Sequence, residues 1–239
     1  MSRKAVIDDL AAIKYRGLTF SQLNELYDDL AEDGYLSEPY EDYFDVMDIP
    51  DDSKRRRQES AETLERIFRD LLALVFYLYS DGAFDYSTAV REAQDKYKKY
   101  VDDVMTTDKT NRNRKTSGFF TDVHIPTTVT GIVNTTLKNP DNLFNFSIDR
   151  ARMIAENEAN SMWNDAEFEE AVLSGMTSKT WHTIIDRNTR DWHAEVNGQT
   201  KPILEPFDVD GELLLFPRDD SLGASGGNIV NCRCSASYS

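Results

Sequence analysis

The run from Asp52 to Ser80 constrains this chain more than any other feature. It opens on a basic cluster, Lys54-Arg55-Arg56-Arg57. It continues through Leu64, Ile67, Phe68, Leu71, Leu72, Leu74, Val75, Phe76, Leu78 and Tyr79. That spacing predicts a single long helix, ended by Asp81-Gly82. Its second half is apolar nearly all round, which requires burial between other helices. A second helix is expected from about Ser87 to Met105, with Ala89, Val90, Ala93, Tyr97, Tyr100, Val101 and Val104 on one face. The two would form a helical hairpin.

Ahead of this hairpin, residues 1–52 carry 14 acidic against 4 basic side chains. Ile7, Leu10 and Ile13, then Leu18, Phe20, Leu23, Leu26 and Leu30, recur at helical spacing, and Ser21 reads as an N-cap. Gly34, Pro39 and Pro50 break the pattern. Tyr35 to Asp52, with Tyr40, Tyr43 and Phe44, reads as an acidic aromatic arm, either solvated or lying on a partner. Residues 1–105 therefore form a helical region, the candidate docking part. Residues 106–146 read as linker or irregular chain. Within them, Thr106–Gly118 is a polar basic loop, Asn139-Pro140-Asp141-Asn142 is a turn, and Thr127–Thr136 suits strand or helix equally.

With 239 residues and 40% apolar content the chain can bury a substantial core. Its formal charge of −16 argues against a dedicated nucleic-acid binder, since unspecific DNA affinity comes from cations that neutralise phosphates. A DNA-binding reading would need the Lys109–Lys115 loop to overcome that charge. No apolar stretch approaches the roughly 18 residues of a membrane span, and no signal peptide follows Met1. The only cysteines, Cys232 and Cys234, are too close along an extended segment for an unstrained mutual disulfide, so reduced cytosolic assembly is expected.

From Ser147 the pattern sharpens. Ser147 is placed to cap a helix through Leu173 that stops at Gly175. Strand-like runs follow at Thr180–Ile185, Leu213–Phe216 and Ile229–Tyr238, with turn signals at Asn197-Gly198, Asp210-Gly211 and Gly226-Gly227. The expected fold class is α+β: an N-terminal α-helical region, then a small C-terminal domain, residues 147–239, of one long helix and a short antiparallel sheet.

Four features occur in order here. They are Ile154-Ala155 with Glu158 on the helix; Lys179-x-Trp181 followed by Asp186; Thr189-Arg190-x-x-His193 followed by Gly198-Gln199; and Phe207, Pro217 and the closing Asn231-Cys232-Arg233-Cys234. Together they resemble the phage Mu F-like head-morphogenesis (minor capsid) family over Ser147 to Tyr238. Two positions depart from that pattern. Glu156-Asn157 stands where Arg-Thr is usual, and Pro217-Arg218-Asp219 stands where Pro-Gly-Asp is usual. The resemblance implies a virion component at the portal vertex or capsid interior, assembled in the host cytoplasm. It implies portal and other head proteins as partners, oligomerisation around the portal, indirect contact with packaged DNA, and a part in DNA packaging or ejection.

Read as chemistry, Cys232 and Cys234 can present two thiolates to a soft metal such as zinc, with His193 as third ligand and Asp186 or His182 as fourth. The alternative is that His193 bonds a strand carbonyl while both thiols pack as small hydrophobes. Glu158, Trp181, Asp186, Arg190, His193 and Arg233 read as a structural cluster. In it Arg190 pairs with Asp186, Glu158 with Arg190 or Arg233, Arg233 lies at the surface, and Trp163, Trp181 and Trp192 are core aromatics. No enzyme is expected. The competing reading is a nuclease or transferase with His193 as base, Arg190 as phosphate clamp and Glu158 or Asp186 as acid. The chain has no phosphate-binding Gly loop, no G-x-S-x-G and no H-E-x-x-H.

Overall fold

The computed structural model describes residues 19, 21–25, 43–80, 86–107, 114–140 and 142–239. Its architecture is α+β, with helices first and a helix plus small antiparallel sheets at the C-terminal end. The helices expected over Ile7–Ile13 and Leu26–Leu30, the arm residues Tyr35 and Tyr40, the Asp81-Gly82 stop and the loop cations Lys109 and Arg112 lie outside the described residues. By contacts the chain forms two compact units. One gathers Glu62–Tyr97, Pro126–Ala155 and the described residues before position 42; the other gathers Asp42–Ala61, Lys98–Ile125 and Glu156–Ser239.

Helix α1 (Asp51–Ser80) begins with Asp51 and Asp52 in its first turn, where carboxylates complement the exposed N–H groups. Helix α2 (Ser87–Thr107) follows. In the first unit Leu64, Phe68, Leu71, Leu72, Val75 and Phe76 of α1 are buried, and so are Ala89, Ala93 and Tyr97 of α2. Phe68 meets Tyr97 edge-on at 5.7 Å. All-round burial of α1 is not found, because Tyr77 keeps 44% of its surface exposed. The buried positions follow one broad face, and a tyrosine can stand at its margin with its hydroxyl in water.

The expected linker contains a helix. A π-helical turn at Phe120–His124 leads into α3 (Ile125–Lys138). Pro126 lacks the amide that would continue the regular ladder, which suits the wide turn before it. Ile125, Val129, Ile132, Val133 and Thr136 are buried at three- and four-residue spacing. Burial at that period decides for helix over the strand that β-branched residues alone would favour. Arg150 reaches the end of α3, donating to Thr136 Oγ1 (2.5 Å), Asn145 O (2.6 Å) and Ile132 O (3.4 Å). Burial lowers its pKa to about 10. In the same unit the N-terminal cap is Thr19, not Ser21: Thr19 Oγ1 accepts from Gln22 N (3.2 Å) and Gln22 Oε1 from Thr19 N (2.9 Å), a reciprocal capping box.

Helix α4 (Ile148–Leu173) starts as expected, with Ser147 Oγ accepting from Arg150 N at 3.0 Å. Gly175, at φ +74°, ends the helical turns. In the second unit β1 (Ser178–His182) is the centre of a three-stranded antiparallel sheet. It lies between β2 (Thr200–Pro202) and β5 (Ser235–Tyr238). A short helix α5 (Asp191–Glu195) intervenes before β2. Asn197-Gly198 therefore closes a helical turn instead of a tight hairpin, and Gly198 N–H donates to Trp181 O at 2.8 Å. Asp210-Gly211 does form the expected two-residue hairpin between β3 (Phe207–Val209) and β4 (Glu212–Leu214), at φ 55° and 80°. The strand foreseen over Ile229–Tyr238 is shorter. Gly226–Ile229 winds into a one-turn helix α6, and Asn231 turns left-handed at φ 56°, which ends extension until Ser235. The core of this end is Trp181, Val196, Phe207, Val209, Leu214, Ile229, Cys232 and Cys234.

Candidate functional site

Everything in the site belongs to the second unit. Its base is the middle of α4, where every residue from 156 to 166 is buried although seven are Glu, Asn, Ser or Asp. Asn157, Asn160, Ser161 and Asn164 share one helix face. Across it lies the chain from Pro217 to Cys234, whose buried backbone groups need partners. Asn160 Nδ2 donates to Cys232 O (3.2 Å), and Asn164 Nδ2 to Pro217 O (3.0 Å). Asn231 N–H donates to Asn157 Oδ1 (2.6 Å). A carboxamide both donates and accepts, so the oxygens of Asn160 and Asn164 can take a guanidinium, and that of Asn157 can take one on its second lone pair beside Asn231 N–H.

Two buried arginines take those oxygens. Arg57 donates to Asn160 Oδ1 (3.1 Å) and Asn164 Oδ1 (3.0 Å) and grips Glu167 through both its terminal nitrogens at 2.9 and 2.8 Å. It also bonds the Ser53 hydroxyl. Burial would raise the Glu167 carboxyl; Arg57 outweighs it and holds the pKa down. Arg218 donates to Ser161 Oγ (2.7 Å), Asn157 Oδ1 (2.6 Å) and Ile229 O (2.5 Å). Its backbone sits at φ +69°, the conformation glycine adopts freely. The departure from Pro-Gly-Asp thus keeps the glycine backbone geometry and places a buried guanidinium in the polar seam. Tyr43, from the described end of the acidic arm, is buried and donates to Cys232 O at 2.8 Å, so that part is neither solvated nor extended away from its own unit.

His193, Cys232 and Cys234 meet in the core, their ligating atoms all within 4.8 Å of one another. His193 Nδ1 lies 3.5 Å from Cys234 Sγ. Its other nitrogen, Nε2, faces Asn228 Oδ1 at 3.0 Å, not a strand carbonyl. Asn228 Nδ2 donates to Val209 O (3.0 Å) and Glu212 Oε2 (2.8 Å), so its oxygen is turned toward the ring and also accepts from Trp192 Nε1 (2.8 Å). His193 therefore carries its proton on Nε2 and leaves the Nδ1 lone pair to the sulfurs. Burial raises the Cys232 thiol, but the hydrogen bond from Cys234 and the Arg218 charge pull it below the ordinary range.

The other expected partners rearrange. Asp186 is held by Arg233 at 2.7 Å, which makes it a poor fourth ligand and puts Arg233 in an ion pair instead of free at the surface. Arg190 caps Val230 O (2.5 Å) and takes no carboxylate among the described residues. His182 bonds Ser237 Oγ (2.7 Å) on the exposed side of the sheet. Trp181 and Trp163 are buried, while Trp192 is half-buried. Lys179 is buried beneath β1, its ammonium donating to Ile203 O (2.7 Å) over the Phe168 and Phe207 rings. Burial lowers its pKa to about 8.

Glu158 pairs with neither Arg190 nor Arg233. Its Oε2 is 2.9 Å from His124 Nε2, and His124 Nδ1 is 2.9 Å from Asp220. Burial would lower the imidazole pKa, but Glu158 and Asp220 on its two nitrogens raise it to about 10. His124 is thus an imidazolium held between two carboxylates. Nothing local in the sequence marks this role for His124; Arg57 showed only as one of a basic cluster and Arg218 only as a departure from Pro-Gly-Asp. The Asn157–Asn164 stripe carried a faint signal, because asparagines are poor helix formers and three on one face of a helix interior need a reason.

Residues 131–237 match the family described as Phage Mu protein F like protein, a family of structural head-morphogenesis proteins. Neither a curated protein nor a solved structure matches the chain. No helix among the described residues is long and apolar enough to cross a membrane.

Proposed function

We propose, taking residues 131–237 as a phage Mu F-like head-morphogenesis module, that this chain is a minor capsid protein acting at the portal vertex or capsid interior during head assembly. The family match carries the reading. The internal chemistry supports it: the groups that a nuclease or transferase would need are spent on fastening. Arg190 holds a backbone carbonyl, Asp186 an arginine, Glu158 a histidine and His193 an asparagine. A net charge of −16 also suits a protein that works beside DNA without adhering to it. Portal and other head proteins are then its partners, the helical residues 1–105 provide docking, and packaging or ejection of DNA is the stage it serves.

The test is to purify heads assembled with the tagged full chain and to cross-link them. The expected result is a few copies of the full chain per head, cross-linked to portal protein through residues 1–105. Absence of the full chain from purified heads would sink the proposal. Cross-links to portal confined to residues 147–239 would move docking to the other half.

A further inference from the structure

The geometry points to a zinc site formed by His193 Nδ1, Cys232 Sγ and Cys234 Sγ. Three observations converge. The ligating atoms of these buried residues already lie within 4.8 Å of each other. Bond lengths of about 2.3 Å for zinc–sulfur and about 2.0 Å for zinc–nitrogen set a tetrahedral N–S edge of about 3.5 Å. The Nδ1–Sγ separation at Cys234 is 3.5 Å.

The second observation is the fixed tautomer. A histidine ligand ordinarily donates its other N–H to an outer partner that orients the ring. Here Asn228 does this, and its own amide is fixed by Val209 O and Glu212, so Nδ1 is presented as a lone pair.

The third is the open side. The cluster borders a cavity of about 20 Å³, also walled by Thr183, Asn188, Arg190 and Arg233. That is room for one water, which would complete four-coordination. Zinc here ties α5 to the segment leading into β5, two pieces of an end of the molecule whose core is small. Binding displaces the thiol protons, so the site loads more tightly as pH rises through the range where they ionise.

The full chain, expressed in zinc-containing medium and purified without chelator under reducing conditions, is analysed for metal by mass spectrometry and then titrated with cobalt(II). The expected results are about one zinc per chain and, after exchange, thiolate-to-cobalt charge-transfer absorption that saturates at one equivalent. His193→Ala and Cys234→Ser each abolish that band. Asn228→Ala, which leaves all three ligands in place, weakens cobalt binding about 10- to 100-fold. Three results on the unaltered chain would each overturn the inference, whatever the variants do: zinc far below stoichiometric, no charge-transfer band with cobalt(II), or Cys232 and Cys234 joined as a disulfide.

Discussion

His124 offers the sharpest test of how this unit is held together. Its imidazole is fully buried with Glu158 on Nε2 and Asp220 on Nδ1, both at 2.9 Å. The perturbation is pH. The folded pKa of about 10 lies above the ordinary 6.5, so the folded state holds a proton that the unfolded chain releases in between. The stabilisation is therefore complete below about pH 6.5 and is lost as pH rises through about 10. The full gap corresponds to about 5 kcal/mol at 1.36 kcal/mol per pH unit. Removing one partner of a buried pair generally costs about 3–5 kcal/mol, the same order. A loss of this size is a large fraction of a domain's stability. Urea unfolding followed by circular dichroism at several pH values between 6 and 10 measures it, for the natural chain and for His124→Gln. The natural chain should lose several kcal/mol across that window, while His124→Gln starts lower and stays flatter. Parallel curves for the two proteins would refute the imidazolium assignment.

Other consequences follow from the same seam. Arg218→Gly should relieve about 1 kcal/mol of left-handed backbone cost yet lose charged hydrogen bonds of about 1.5–3 kcal/mol each, so its thermal midpoint should fall; a rise would show that the guanidinium contributes nothing. Arg57→Lys cannot reproduce a two-pronged grip on Glu167 together with two asparagine oxygens. It should cost about 3 kcal/mol in denaturant unfolding, and a change within 0.5 kcal/mol, the size of an ordinary surface substitution, would contradict the bonding described. Lys179 has the opposite pH sign from His124. Its folded pKa of about 8 is below the ordinary 10.5, so the unfolded chain binds more protons between those values and this group makes stability rise with pH there. Lys179→Met should remove that rise, and an unchanged slope in pH-dependent unfolding would count against it.

The sequence by itself determined the long elements and the local turns. α1, α2 and α4 are written in their apolar spacing, Ser147 in its capping hydroxyl, and Asp210-Gly211 in the left-handed geometry its hairpin demands. These are contacts between near neighbours, and period and cap chemistry report them directly. The ordered motifs from Ile154 to Cys234 likewise pointed to the family that residues 131–237 match. Only the tertiary structure decided what the polar residues do. The Thr- and Val-rich segment became helix because its burial repeats every three or four residues. Glu158 found His124, 34 positions away, instead of an arginine of the sheet. Arg57 reached Glu167 across 110 residues, and Asn160 reached the Cys232 carbonyl across 72. Charges and carboxamides have no periodic signature, because their partners are chosen by whichever buried backbone groups and ions the packed helix brings within hydrogen-bonding reach.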